Sequence, residues 1–297
     1  MKRLFAVLCT SVIASAAGAQ APAAKLEVEK VADGVHVLYG RGGNIGVSVG
    51  PDGVILIDDQ FAPSTPQVLE ALATLAPEPP RFVLNTHWHG DHTGGNENLA
   101  ARGSVIVAHD QVRQRMSTEQ FSEFLQRKTP PSPGGALPVV TYNDSLSLHV
   151  NGDELRGYHA PNAHTDGDTV VHFRKANVIH TGDLFFHGMY PFIDLDSGGS
   201  VSGLIAGVDK ILGIADDRTR IIPGHGKVTD RAGLAAYRKM LVDTSARVQL
   251  LVKEGKTLEQ AQAAKPNADY DATLAWEFIS ADFFLRTLYE DARRRAQ

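Results

Sequence analysis

A chain of 297 residues predicts an α/β fold here: two mixed β-sheets packed face to face, with helices on both outer faces. Residues 26–57 and 139–183 hold short runs of alternating apolar and polar side chains broken by turn residues, as half-buried strands do. Helix-spaced apolar residues follow each stretch. The 43% hydrophobic and 21% charged content is that of a globular chain long enough to bury a sizeable core. With neither an internal repeat nor a low-complexity segment, residues 20–297 read as one domain.

The first nineteen residues differ in kind. Lys2 and Arg3 precede the apolar run Leu4 to Leu8, small residues follow, and Ala17-Gly18-Ala19 fits a small-x-small cleavage site. Residues 1–19 are therefore expected to be a cleaved signal peptide, directing the mature chain to a bacterial periplasm or the exterior. The apolar run is too short to span a bilayer, and Leu8 before Cys9 argues against a lipid anchor, so no membrane attachment is expected after cleavage. Cys9 is the sole cysteine and falls within this leader, which leaves the mature chain without a disulfide framework, a thiolate nucleophile or a thiolate ligand.

Strands are predicted at residues 26–31 and 35–39, joined by the turn Ala32-Asp33-Gly34. A hairpin, residues 45–49 and 54–57, closes at Pro51-Asp52-Gly53. A helix from about Pro66 to Leu75 ends before Pro77, Pro79 and Pro80. The short strand Phe82-Val83-Leu84 comes next, then Val105-Ile106-Val107. Phe121, Phe124 and Leu125 share one face of a helix predicted over Thr118–Arg127, and residues 130–135 form a loop. Strands occupy residues 139–183. Helices are predicted at Val201–Ile214, about Arg231–Glu254, Leu258–Ala264 and Leu274–Arg294. The aromatic residues Trp276, Phe278, Phe283, Phe284 and Tyr289 read as cover for the core, with a dimer contact as the alternative; the oligomeric state is not legible. A net charge of -5 and the absence of a basic run exclude a nucleic-acid surface and leave a small-molecule substrate as the expected partner.

The segment Asn85-Thr86-His87-Trp88-His89-Gly90-Asp91-His92 carries the chemistry. Alternate residues of an extended segment point the same way, so His87 and His89 can grip one metal ion. Asp91 and His92 follow the turn at Gly90 and can face a neighbouring ion. Imidazoles with a carboxylate suit zinc, with iron and manganese as alternatives. Two such ions need about six ligands. Further candidates sit at strand ends or glycine turns: His164 in Asn162-Ala163-His164-Thr165-Asp166-Gly167, Asp183 in Thr181-Gly182-Asp183, and His225 in Pro223-Gly224-His225-Gly226. His36, His109, His149, His159 and His172 lack such a context and read as structural or surface residues. His180 and His187, close to Asp183, could support a ligand or face a substrate.

The order and contexts of His87, His89, Asp91, His92, His164, Asp183 and His225 resemble the metallo-β-lactamase superfamily of binuclear hydrolases. The resemblance spans nearly the whole mature chain. It implies an αββα sandwich with the site along the edge between the sheets. It also implies two Zn2+ ions (Fe or Mn as alternatives), one on His87, His89 and His164, the other on Asp91, His92 and His225, with Asp183 bridging. Asp58, ending the strand Val54–Ile57, matches a family acid that supports a metal-bound histidine.

Two cations roughly 3.5–4 Å apart can share a water and lower its pKa to about 7, so hydroxide-driven hydrolysis of an amide- or ester-type carbonyl is the expected reaction, with Asp91 orienting the nucleophile. The export signal and the context His164-Thr165-Asp166-Gly167-Asp168 look closest to β-lactamases, so β-lactams are expected as a modest or promiscuous substrate. Asp183 in place of a cysteine looks more like glyoxalase II and the lactonases, which makes a lactonase or thioesterase the alternative. Phe186 replaces the lysine that often holds a β-lactam carboxylate, and the loop Gly40–Asn44 lacks an aromatic flap residue. Trp88, Phe186, Tyr190 and Phe192 are candidate groove walls. An iron oxidoreductase and a non-catalytic metal-binding protein are the readings from other classes.

Overall fold

The computed structural model describes residues 25–296. The predicted leader, its cleavage site and Cys9 lie outside them. Along the chain run β1 (Glu27–Ala32), β2 (Val35–Tyr39), β3 (Ile45–Gly50), β4 (Gly53–Ile57), α1 (Thr65–Ala73) and β5 (Phe82–Leu84). The short α2 (Gly90–Thr93) and α3 (Asn96–Ala100) precede β6 (Val105–His109), α4 (Asp110–Met116), β7 (Gln120–Ser122), β8 (Arg127–Thr129) and β9 (Val140–Tyr142). The remainder holds β10 (Ser145–Val150), β11 (Asp153–Ala160), β12 (Asp168–Phe173), β13 (Val178–His180), α5 (Val201–Ile214), β14 (Arg220–Ile222) and β15 (Thr229–Asp230). It ends with α6 (Arg231–Lys253), α7 (Leu258–Ala264), α8 (Ala268–Leu274) and α9 (Ala281–Ala296).

Both sheets are mixed, and for one reason. Hairpin turns join consecutive strands antiparallel, whereas parallel neighbours need a crossover, which here is helical. The first sheet has the order β1-β2-β3-β4-β5-β6-β9, antiparallel through β4 and parallel from β4 onward. The second has the order β10-β11-β12-β13-β14-β15, in which only β13 and β14 are parallel, with α5 between them.

Period-two alternation then builds the layers. In β4, Ile55 and Ile57 face the second sheet while Val54 and Leu56 face away, all fully buried. The inner core joins Val37, Ile55, Ile57 and Val107 to Leu155, Val171, Phe173 and Ile222 of the opposite sheet. Outside, Leu56, Val83 and Ile106 pack on Val68 and Leu72 of α1 and Leu99 of α3. On the far side, Val170, Ile179 and Ile221 meet Leu204 and Val208 of α5, Leu234 and Leu241 of α6, and Phe284 of α9. This is the αββα sandwich expected from the sequence. Each large side chain so buried contributes about 1.5–3 kcal/mol, and truncating one such as Leu56 to Ala costs about 2–5 kcal/mol. Among the described residues, no helix is long and apolar enough to cross a membrane.

Two elements depart from expectation. The helix predicted over Thr118–Arg127 is a hairpin, with Gln120 opposite Thr129 and Ser122 opposite Arg127. Asp196 decides it: its carboxylate accepts from the Phe124 amide at 2.9 Å and the Ser122 hydroxyl at 3.1 Å, and Gln126 turns the chain at φ 50°. The helix predicted over Leu274–Arg294 begins only at Ala281, as α9, and Leu274 is instead the last residue of α8. Residues 275–280 are held instead by the Tyr190 segment, whose amide donates to Leu274 O and whose carbonyl accepts from the Trp276 indole at 3.0 Å. The Ser280 hydroxyl then accepts from the Phe283 amide and starts α9.

Candidate metal centre

The C-terminal ends of β4, β5, β13 and β14 and the N-terminal end of β12 meet at one edge of the sandwich. Beyond β5 the Asn85 amide still pairs with Val107 O, the chain then bends through Thr86–Trp88, and the His89 carbonyl opens α2 by accepting from the His92 and Thr93 amides. Asp91 and His92 thus sit on the first turn of a helix. Asp58, just past β4, is held at φ 66°, a conformation uncommon for an aspartate. There its carboxylate accepts from the Thr86 amide and hydroxyl, both at 2.7 Å, and from His92 Nδ1 at 2.8 Å.

Two groups of donors result. Donor atoms of His87, His89, His164 and Asp183 lie within 4.8 Å of one another, as do those of Asp91, His92 and His225. His89 Nδ1 is 3.2 Å from His87 Nε2 and 2.9 Å from His164 Nε2. In the second group His92 Nε2 and His225 Nε2 are 3.4 Å apart, and Asp91 Oδ2 is 3.5 Å from the former and 3.4 Å from the latter. The carboxylate of Asp183 stands between. Its Oδ2 faces His87 and His164 at 3.7 and 3.5 Å, and its Oδ1 faces His92 and His225 at 3.1 and 3.4 Å.

The hydrogen bonds behind the rings assign their protons. The Thr86 hydroxyl proton goes to Asp58, so His87 Nδ1 must donate to Thr86 Oγ1 at 3.0 Å. His164 Nδ1 donates to Phe192 O at 2.8 Å, and His89 Nε2 donates to Asp194 Oδ2 at 2.9 Å. Each ring therefore turns a bare lone pair toward the other two. Three lone pairs converging in a buried place repel one another, and Asp183 Oδ1 is buried without a hydrogen-bond partner. A divalent cation relieves both, so the donor set fits metal ions bound by imidazole and carboxylate.

Charge follows the same division. Burial pulls His164 down to about 4, and burial followed by the charge of His92 takes His87 well below its ordinary value, which keeps these two rings neutral. Burial also opposes protonation of His92 and His225, but carboxylates outweigh it: Asp183 and Asp91 hold His92 well above its ordinary value and His225 at about 9. Burial works against ionising Asp183 and Asp91, yet the neighbouring histidines hold both below the usual carboxylate range.

Close packing leaves no room for side chains at two glycines. A Cβ on Gly43 would run into the His92 ring, and one on Gly224 into Asp183 Oδ1. The loop Gly40–Asn44, read from sequence as lacking an aromatic flap residue, is thus pressed on His92, tied by Gly43 N to Asp91 O at 3.0 Å and Asn44 N to Gly224 O at 2.8 Å.

Above the donors opens a cleft of about 450 Å³, into which His89, Asp91, Asp183 and His225 emerge. Trp88, Phe186 and Phe192 line it, with the Phe186 ring stacked on His225 at 4.9 Å. Tyr190 does not. It is fully buried, stacked on Phe284 at 4.1 Å, with its hydroxyl donating to Asp271. An apolar ring finds more buried area against α9 than at the cleft wall. His180 is engaged at both nitrogens by Asn44 O and Gly182 N, and His187 Nδ1 pairs with Lys227 O; neither is among the cleft-lining residues. Reading by motif missed Asp194, which lies in the turn Asp194–Ser197 and caps it, so its local pattern signals only a turn. It also missed Trp276 and Phe278, which line the cleft; of that aromatic stripe Phe284 lies in the core, with Phe283 and Tyr289 packed against it.

Residues 38–236, more than half of the chain, match the family model described as the metallo-beta-lactamase superfamily, a span that includes all seven donor residues. The chain is 26% identical over 208 residues to a hydroxyacylglutathione hydrolase of Nitrosococcus oceani, covering 68% of this chain and 66% of the relative. It is 25% identical over 145 residues to the metallo-beta-lactamase type 2 of Bacteroides fragilis, covering 49% of this chain and 52% of that one. It spans half the length of the 2,4-dinitroanisole O-demethylase subunit alpha of a Nocardioides species, at 27% identity over 180 residues and 59% of this chain. Among solved structures, a metallo-beta-lactamase from Pontibacter korlensis superposes with a TM-score of 0.60 at 19% identity, over 74% of this chain and 100% of that one. The sec-alkyl sulfatase PisA1, solved as a double mutant, gives 0.67 at 19% identity over 89% of this chain and 50% of its own. With its αββα fold, its edge-on donor cluster and this match, the chain belongs to the metallo-β-lactamase superfamily.

Proposed function

We propose that the protein is a binuclear zinc hydrolase that cleaves an amide- or ester-type carbonyl bond of a small molecule. The observation that carries this is the carboxylate of Asp183, whose two oxygens face two separate donor groups. His87, His89 and His164 would hold one ion, Asp91, His92 and His225 the other, and Asp183 both. Bound there, divalent cations polarise a carbonyl oxygen and make water nucleophilic at neutral pH.

The chain's own groups do the rest. Asp194, Phe192 O, Thr86 and Asp58 hold the four imidazoles in one tautomer and one orientation. Asp91 is the carboxylate of the second group and is partly open to the cleft, at 25% side-chain exposure, so its Oδ2 can take a proton from the attacking water. As the carbonyl carbon gains the water oxygen and loses its bond to the departing nitrogen, oxygen or sulfur, that proton passes to the leaving atom. No serine or cysteine is required.

For the substrate, relatives named as a metallo-beta-lactamase and as a hydroxyacylglutathione hydrolase support hydrolysis of an acyl group rather than one substrate. Phe186 stacked on His225 puts an apolar ring where a lysine would hold a β-lactam carboxylate, which favours β-lactam opening as a side activity. The leader read in residues 1–19 supports export, for which the mature chain should begin near Gln20 by mass spectrometry. Metal analysis with a panel of β-lactams, lactones, thioesters and phosphodiesters tests the reaction. Two zinc ions and hydrolysis of an acyl substrate are expected; a single iron or an inert panel overturns the reading.

A further inference from the structure

We infer that the cleft selects substrates whose reacting carbonyl carries an extended apolar group, and that the hairpin β7–β8 and the segment Trp276–Phe278 receive it. This rests on the hydrolytic reading only for where the reacting carbonyl sits.

Exposed apolar side chains show where water has been left against hydrocarbon. Phe61, Phe121 and Phe278 are 42%, 49% and 48% exposed, come from three separate segments, and line this one cleft. Large apolar side chains exposed singly need no explanation, whereas several converging on one concave surface mark a binding site. The cleft floor is the donor cluster, so whatever apolar group binds there is joined to the group that reacts.

The wall is also built to stay open. Trp276 is fixed by its indole bond to Tyr190 O at 3.0 Å, and the Phe278 ring lies 5.7 Å from both Trp276 and Phe192. Phe192 in turn lies 5.8 Å from the His89 ring, so aromatic surface runs unbroken from the metal-side histidine to the rim. Beside it, the hairpin holding Phe121 packs Phe124 on Phe283, itself next to Phe278, and is tied to Asp196 at both Ser122 and Phe124. Trp276 and Phe278 fall beyond the family match at residues 38–236, so this wall belongs to the part of the chain that the shared domain does not specify.

Both tryptophans of the chain, Trp88 and Trp276, line the cleft, so intrinsic fluorescence reports its occupation without turnover. The as-purified protein is titrated with neutral n-alkanols of increasing length, from butanol to decanol, which carry no anionic head to bind metal. Covered methylenes should lower Kd by up to about fourfold each until the chain outgrows the wall. Phe121→Ala and Phe278→Ala, both at half-exposed positions and so without a core to lose, should flatten the series to less than about twofold per methylene. Leu250→Ala, on an exposed side chain away from the cleft, should leave it unchanged. A flat series in the unaltered protein, or one that neither phenylalanine variant flattens, overturns the inference. Chain-length dependence in a protein that hydrolyses no acyl substrate supports the apolar site and removes the hydrolytic reading. Turnover of short esters beside a flat alkanol series does the reverse.

Discussion

Asp194 Oδ2 accepts the Nε2 proton of His89 at 2.9 Å, and this bond determines which nitrogen His89 turns toward His87 and His164. Burial works against the charge on Asp194, but the bond to His89 keeps its carboxyl at about 2, so it is ionised at working pH.

Replacing Asp194 by Ala should therefore weaken metal binding about 10- to 100-fold, as loss of a supporting carboxylate does. Chelator competition measures this. Asp194 also accepts from the Asp196 and Ser197 amides, so Asp194→Asn, which keeps an acceptor for that turn, separates the two effects. Equal affinity in the unaltered protein and Asp194→Ala would show that the first donor group holds its geometry without this bond.

Asp91 is the acid placed to handle the proton. Asp91→Ala should lower kcat by about 100-fold or more, with KM changed far less, because the lost group acts on the attacking water rather than on the substrate's apolar part. Steady-state kinetics on the best panel substrate decide it, and an unchanged kcat removes Asp91 from the mechanism.

Asp58 ties two ligands at once, His92 directly and His87 through Thr86. It is fully buried, so Asp58→Ala leaves an unpaired imidazole and a free hydroxyl in the interior. The expected cost is about 3–5 kcal/mol in denaturant unfolding, with metal binding weakened as well. A loss below about 1 kcal/mol would mean that the neighbouring groups re-pair.

His109 and His159 stack at 3.8 Å with their planes 13° apart, outside the donor cluster. Burial lowers the pKa of both, and for His159 the charge of His109 adds to it. His109 Nδ1 caps α4 by accepting from the Gln111 amide, so a proton there would break the cap. The unfolded chain, near the ordinary value of 6.5, then binds protons that the folded chain refuses. Stability from this pair is complete above about pH 6.5 and is lost as the pH falls toward the depressed values. Melting curves between about pH 7.5 and 5 should show a shallower decline for the double variant His109→Gln, His159→Gln than for the unaltered protein. Parallel declines would assign the dependence to other histidines.

The layered fold was legible because period-two alternation assigns each strand two faces, as Val54–Ile57 does, and the helical runs then cover the outer ones. The stretch Phe121–Leu125 was not, since its apolar spacing fits a helix and only Asp196, more than seventy residues on, captures the amide that makes it a hairpin. Tyr190 was likewise unreadable: adjacency to the motif says nothing of whether a ring turns to the cleft or to α9.

The sequence by itself determined the donor types and half of their arrangement. His87, His89, Asp91 and His92 lie within six residues, where backbone geometry alone orients side chains. Only the tertiary structure decided the rest: that Asp183 stands with one oxygen toward each donor group, that Asp194 sets the tautomer of His89, and that Trp276 and Phe278 wall the cleft. Those residues are separated from the motif by roughly ninety to two hundred positions, and what brings them to it is the docking of two sheets and α9, which no local periodicity encodes.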